Sequence, residues 1–267
     1  MPFTQTLTRT LLPAHAPPLR LLATEPWRAL REYVEHHRRA VDHLPRGDGH
    51  PVVVFPGLAS DELAVRPLLR RLRQLGYDAV DWGRGWNTGP GKDEDVDGWI
   101  RSLSREVDSL VARRVRRRAK ARRHDGRVSL VGWSLGGLYA REVAKHLRKR
   151  VRRVITIGTP FNVTAHDVTH AALVYRVLNG APAPTDDGLL ARLREPPPQP
   201  TTSIYSRRDG IVARDACTHD ARDDHVDEVE LDSSHLGMGW NPQVLKVVAD
   251  RLAQPPGHWR RFKGLAS

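Results

Sequence analysis

What most constrains the fold of this chain is a recurrence of short, largely apolar runs at residues 51–55, 77–82, 128–131 and 151–157. The first, Pro51-Val52-Val53-Val54-Phe55, is continuously apolar and β-branched, as expected of a strand buried on both faces of a parallel sheet, and the others repeat the strand pattern with a few polar residues among them. Between them apolar residues return at helical spacing. Leu63, Val65, Leu68, Leu69, Leu72 and Leu75 form one such stripe, with Ser60 read as its N-cap and Gly76 as its stop. Further helices are expected from about 24 to 43, 96 to 122 and 138 to 147. The first of these starts at Thr24, with Pro26 in its first turn. Two more strands are expected at 202–205 and 226–231, before a closing helix that opens on Asn241-Pro242. Strands alternating with helices imply an α/β fold, a mostly parallel sheet with helices on both faces and right-handed crossovers.

The alternation breaks after Gly158-Thr159-Pro160. Residues 161–200 hold helix candidates and Pro196-Pro197-Pro198 but no clear strand, so they read as a helical cap inserted over the sheet. Ala171, Leu173, Val174, Val177 and Leu178 would give that cap its apolar face. The chain therefore divides into an arm and helix at 1–47, a core at 48–254 with its cap at 161–200, and a polar tail at 255–267. At 267 residues one large domain accounts for the whole.

Composition excludes several classes. A hydrophobic fraction of 39% with recurrent apolar runs is inconsistent with a wholly disordered chain. No run approaches the roughly 18 apolar residues of a membrane span, and the first 25 residues lack the core of a secretory signal. The single cysteine, Cys217, fits a reducing compartment, so a cytoplasmic location is expected. Neither a base nor a positive helix end is expected beside it to activate its thiol. The formal charge of +12 invites an anionic partner. Its densest run, 113–123, has no interleaved aromatic residues to stack bases and reads as a solvated helix end. Nucleic acid is not expected as a partner; peripheral contact with anionic surfaces remains open, as does the oligomeric state.

Chemistry concentrates at Gly132-Trp133-Ser134-Leu135-Gly136, a G-x-S-x-G pattern that joins an expected strand to an expected helix. A serine at such a turn is held in a strained backbone, and its glycines let neighbouring elements approach closely. Ser134 is the candidate nucleophile, and the Leu135 N–H at the helix start could stabilise an oxyanion. A second donor is expected in Phe55-Pro56-Gly57-Leu58, where Gly57 permits a turn and Leu58 would offer its N–H.

A serine nucleophile needs a base, and imidazole suits that task near neutral pH. Among 13 histidines, His235 alone follows the final strand immediately, where parallel sheets collect their ligands. His36, His37, His43 and His146 fall on expected helices and read as surface residues. The acid that orients the imidazole should follow the penultimate strand. Asp209 lies there with Gly210 behind it; Asp215, Asp220, Asp223, Asp224 and Asp227 are alternatives in or beside a stretch that reads as solvated loop. His166 and His170 stand four apart but lack the glutamate and third ligand of a zinc motif, so no metal or cofactor is expected. The glycine-rich segment 83–89 matches no phosphate-binding pattern and reads as a turn near the pocket rim.

With Pro56-Gly57-Leu58 and Ser60-Asp61, the 132–137 elbow, Ser206 to Val212 and Ser234-His235-Leu236-Gly237, the chain resembles the α/β-hydrolases of the bacterial lipase and esterase branch over about 48–254. The order Ser134, Asp209, His235 is theirs. A single glycine in the oxyanion turn departs from the esterases with a His-Gly-Gly-Gly loop. The resemblance implies a small-molecule ester with an apolar acyl group as substrate. Acyl transfer, thioester cleavage, or a non-catalytic anion- or membrane-binding role on the same fold are the alternatives.

Overall fold

The computed structural model describes residues 16–91, 94–117, 125–162, 187–220 and 223–264. Six strands form one sheet: β1 (Pro51–Phe55), β2 (Asp78–Asp81), β3 (Val128–Trp133), β4 (Val151–Ile157), β5 (Thr201–Tyr205) and β6 (Val226–Glu230). Their order is β2-β1-β3-β4-β5-β6, and every pair is parallel. The chain starts in the sheet's interior, runs to one edge at β2, and then crosses back over β1 to build the other half.

Neighbouring residues on a strand point to opposite faces, so each strand serves two cores. Val52 and Val54 join the cluster with α2 (Glu62–Gln74) and α6 (Pro242–Ala253), through Val65, Leu69, Leu72, Val244 and Val248. Val53 and Phe55 face the other way, into the cluster with α3 (Val96–Arg117) and α4 (Leu135–Leu147). Burial on both faces explains why these strands read as continuous apolar runs. Each fully buried leucine or valine contributes on the order of 1.5–3 kcal/mol against the entropy of ordering it.

Several helix ends differ from expectation: the first helix stops at Arg38 rather than about 43, α4 starts at Leu135 rather than 138, and two further differences have a visible cause. Asp61, not Ser60, caps α2 by accepting from the Leu63 N–H at 2.8 Å, while the Ser60 hydroxyl donates to the Gly57 carbonyl. The first helix, α1, spans Leu19–Arg38 and carries Pro26 in its interior. Proline there has no N–H for the preceding turn. Side chains take up nearby carbonyls instead: the Thr24 hydroxyl donates to Arg20 and Leu21, and Arg28 donates to Leu21. This is why a proline rule placed the start five residues late.

Asp227 is another correction, since it is not part of a solvated stretch. It lies buried on β6, accepts from Arg251 at 3.2 Å and from the Phe262 N–H, and so ties the sheet edge to α6 and the C-terminal segment. His36 is also buried rather than on the surface. Its Nδ1 stands 2.8 Å from the Trp240 carbonyl, and burial together with the Arg71 charge lowers its pKa to about 4.

Residues 163–186 of the expected cap, with His166 and His170, lie outside the described residues, as do 118–123 of the basic run. The segment after 186 forms α5 (Asp187–Arg194), anchored to α4 by the fully buried Arg141, which donates to the carbonyls of Leu193, Arg194 and Glu195. Within the basic run, Arg114 is paired with Asp78 at 2.5 Å. Among the described residues no helix is long and apolar enough to cross a membrane.

Candidate active site

The sharp turn from β3 into α4 places Ser134 at the carboxyl end of the central strands, where its backbone takes φ 53° and ψ −126°. A non-glycine residue in this region is strained, and the surroundings must hold it. The Ser134 N–H donates to Ile157 on β4 at 2.8 Å, and its carbonyl accepts from Gly137. Close packing leaves no room for side chains at the flanking glycines. A Cβ on Gly132 would lie 2.4 Å from the Gly136 carbonyl oxygen, and one on Gly136 would lie 2.4 Å from that of Pro56.

Three loops bring the other groups to the serine. His235 follows β6 and opens a 3-10 turn, Leu236–Gly239, and its Nε2 stands 3.0 Å from the Ser134 Oγ. Asp209 follows β5, and its Oδ2 stands 2.6 Å from the His235 Nδ1. The other oxygen, Oδ1, accepts from the N–H groups of Ile211 and Val212 at 2.8 and 2.7 Å. That arrangement turns Oδ2 toward the imidazole and holds the ring proton on Nδ1, leaving Nε2 to accept from the serine hydroxyl. Burial alone would lower the His235 pKa; the charge and hydrogen bond of Asp209, with a smaller contribution from Glu25, outweigh it and raise the pKa. All three side chains lie beneath the surface.

The turn after β1 packs directly on the serine, for a Cβ on Gly57 would sit 3.4 Å from that of Ser134. Among the described residues, neither the Leu58 nor the Leu135 N–H has a hydrogen-bond partner. Asn87, in the glycine-rich segment after β2, fixes this turn. Its Nδ2 donates to the Pro56 carbonyl, its own carbonyl accepts from Ala59, and its N–H donates to Ser60, each at 2.8 Å. The side chain is fully buried.

Two more groups escaped sequence reasoning. Glu25 and Glu32 on α1 face the loops that carry the acid and the base. Glu25 accepts from the N–H groups of Gly210, His235 and Leu236, and Glu32 from the Ser234 N–H and the Ser233 hydroxyl. Their spacing of seven puts them on one helix face, yet nothing local reveals which loops that face would meet. Cys217 is buried with its pKa raised well above the usual thiol value, first by burial and then by the nearby Asp209 and Glu228 charges, so it holds no ready thiolate.

A second serine–histidine–aspartate chain lies at the opposite end of the strands. His50, just before β1, has Nδ1 2.5 Å from Asp48 and Nε2 2.8 Å from the Ser129 hydroxyl of β3. Its surroundings suit structure rather than catalysis. Both Ser129 and His50 are wholly buried, and burial with the Arg152 charge lowers the imidazole pKa to about 4 despite Asp48. Such a ring is a weak base, and it sits at the amino ends of the strands, away from where parallel sheets bind ligands.

A parallel sheet whose central strand turns through a strained serine into a helix, with histidine and aspartate delivered by later loops, defines the α/β-hydrolase class. Residues 47–264 match the model of the Alpha/beta hydrolase family, and the chain belongs to that family. No curated protein matches it in sequence. Among solved structures it is similar to Aspergillus fumigatus lipase B, with 17% identity over 79% of this chain and 54% of that one and a TM-score of 0.53. It is also similar to the Paleococcus ferrophilus monoacylglycerol lipase, at 11% identity over 79% and 96% of the two chains and a TM-score of 0.52. Bacillus licheniformis lipase BlEst2 gives 18% identity, 80% and 96% coverage and a TM-score of 0.50. At such identities the likeness is one of fold, and the chain spans about half the length of the Aspergillus protein.

Proposed function

We propose that the chain hydrolyses carboxylic esters through an acyl-enzyme on Ser134. The observation that carries this reading is the continuous chain from Ser134 Oγ to His235 Nε2 and from His235 Nδ1 to Asp209, at 3.0 and 2.6 Å. Ser134 Oγ attacks the carbonyl carbon as its proton passes to His235 Nε2. The oxyanion that forms is held by the N–H groups of Leu58 and Leu135, a pair of which each member contributes on the order of 10²–10³ in kcat. Collapse expels the alcohol, which leaves with the proton from His235. Water then repeats the sequence and frees the acid.

We infer an apolar acyl group, since the exposed Trp86 adjoins Asn87, which fixes the turn packed on Ser134. The lipases that share the fold agree with an ester substrate. A p-nitrophenyl ester series of increasing chain length tests the reading. We expect turnover of the activated esters, with a burst of p-nitrophenol up to the enzyme concentration where deacylation is the slower step, the kinetic mark of an acyl-enzyme. No release of p-nitrophenol above the uncatalysed rate from any ester of the series, by folded protein, would overturn it.

The pH dependence follows from the His235 environment. The imidazole must be neutral to take the serine proton, and Asp209 and Glu25 hold its pKa above 6.5 despite burial. kcat/KM should therefore rise with pH along a single limb whose midpoint lies above 6.5, because lowering the pH protonates the base. A limb centred well below 6.5 would contradict the assignment of His235 as the base.

A further inference from the structure

Helix α1 lies outside the segment that matches the family, which begins at residue 47. Its inward face is nonetheless directed at the site. Glu25, with 1% of its surface exposed, is a buried carboxylate that accepts from Arg28, Gly210, His235 and Leu236. Oε1 accepts from the Gly210 N–H at 2.8 Å and the His235 N–H at 3.0 Å, and Oε2 accepts from the Leu236 N–H at 3.0 Å. Arg28, one turn on, pairs with Oε1 at 2.8 Å and also donates to the Arg208 carbonyl. Gly210 follows the acid, and His235 is the base itself. One carboxylate thus joins two loops that are otherwise 26 residues apart in the chain.

A buried carboxylate costs several kcal/mol of desolvation unless its oxygens are fully satisfied, so a purely structural tie could be made more cheaply by a neutral group. What a neutral group cannot supply is acceptor capacity on both oxygens together with a negative charge. We propose that Glu25 is a positioning residue, clasping the Asp209 and His235 loops against each other and tuning the basicity of His235 from outside the family core. This rests on the reading of Ser134, His235 and Asp209 as an acyl-transfer site. Glu32 extends the clasp to Ser233 and Ser234. The charged groups that act on His235 are Asp209 on the acid loop and Glu25 on α1; Arg28 pairs with Glu25, Glu32 holds Ser233 and Ser234, and Arg208 and Asp232 pair with each other on the exposed side of the two loops.

Glu25→Gln keeps the shape but, with its carbonyl at the Oε1 position to accept from Arg28, Gly210 and His235, it turns an NH₂ against the Leu236 N–H, so that contact of the base loop is lost, and it removes the charge. kcat on p-nitrophenyl acetate should fall about ten-fold or more with KM little changed, as for loss of an interaction that matters at the transition state. The His235 pKa, followed by NMR titration of the imidazole in a Ser134→Ala background, should fall by about one unit. Arg28→Gln leaves the carboxylate in place and removes its counter-charge, so the same titration should move upward. A tie with only a structural role would give no such opposite pair of shifts. Folded Glu25→Gln enzyme with unaltered kcat and unaltered His235 titration, or both variants shifting in one direction, would overturn the proposal. The NMR titration needs no turnover, so it reads the clasp even if the wild-type chain cleaves no ester and the acyl-enzyme reading fails.

Discussion

Ser134→Ala is expected to reduce kcat on a p-nitrophenyl ester by roughly 10⁴–10⁶, the scale seen when the nucleophile of a serine hydrolase is removed. The protein should fold as before. The strain at φ 53° is carried by the backbone, which is held by the Ile157 carbonyl and by the close approach of Gly136 to Pro56, none of which involves the hydroxyl. His235→Ala should be about as severe, since without Nε2 the serine proton has no acceptor at 3.0 Å. The double variant should be scarcely worse than either single one, because the two groups act as one unit. Losses that add in full would mean that the two residues do not share a step.

Asp209→Asn should cost up to about 10⁴ in kcat while leaving the packing intact. The amide can keep accepting from Ile211 and Val212 through its oxygen, and that turns its NH₂ toward His235 Nδ1. Nδ1 must then accept, the ring proton moves to Nε2, and the tautomer is the wrong one for taking a proton from serine. Asp227→Asn is the informative contrast. Asp227 is buried, but it faces Arg251 and Phe262 rather than the imidazole. Its loss should lower thermal stability with kcat per folded molecule kept. Full activity in a folded Asp209→Asn enzyme would remove Asp209 from the proposed mechanism.

The strands and the elbow were legible because their causes are local. Burial on both faces of a parallel sheet requires continuous apolar runs, and a strand-to-helix turn this tight requires glycine at 132 and 136. The position of Asp209 and His235 after successive strands followed from the tendency of parallel sheets to collect ligands at their carboxyl ends. Helix α1 was legible only as a helix. Hydrophobicity would turn Trp27, Leu30 and Val34 inward, yet these are exposed, while Glu25, Ala29 and His36 are buried. The inversion arises because this face meets backbone N–H groups of two loops rather than an apolar core, and such partners lie about 185–210 residues away. Asn87 and Asp227 were missed for the same reason: a polar residue in a polar stretch gives no sign of a distant buried partner.

The most direct test of the nucleophile is to label the protein with a fluorophosphonate and map the modified peptide by mass spectrometry. Among the described residues, two serines stand within hydrogen-bond distance of a histidine that is itself paired with aspartate: Ser134 with His235, and Ser129 with His50. Only the first has a base whose pKa is raised and two free N–H groups beside it to hold the phosphonyl oxygen. Stoichiometric modification of Ser134, absent from the Ser134→Ala protein and slowed below the His235 pKa, is the expected result. Modification at Ser129, or undiminished labelling of the Ser134→Ala protein, would contradict the account.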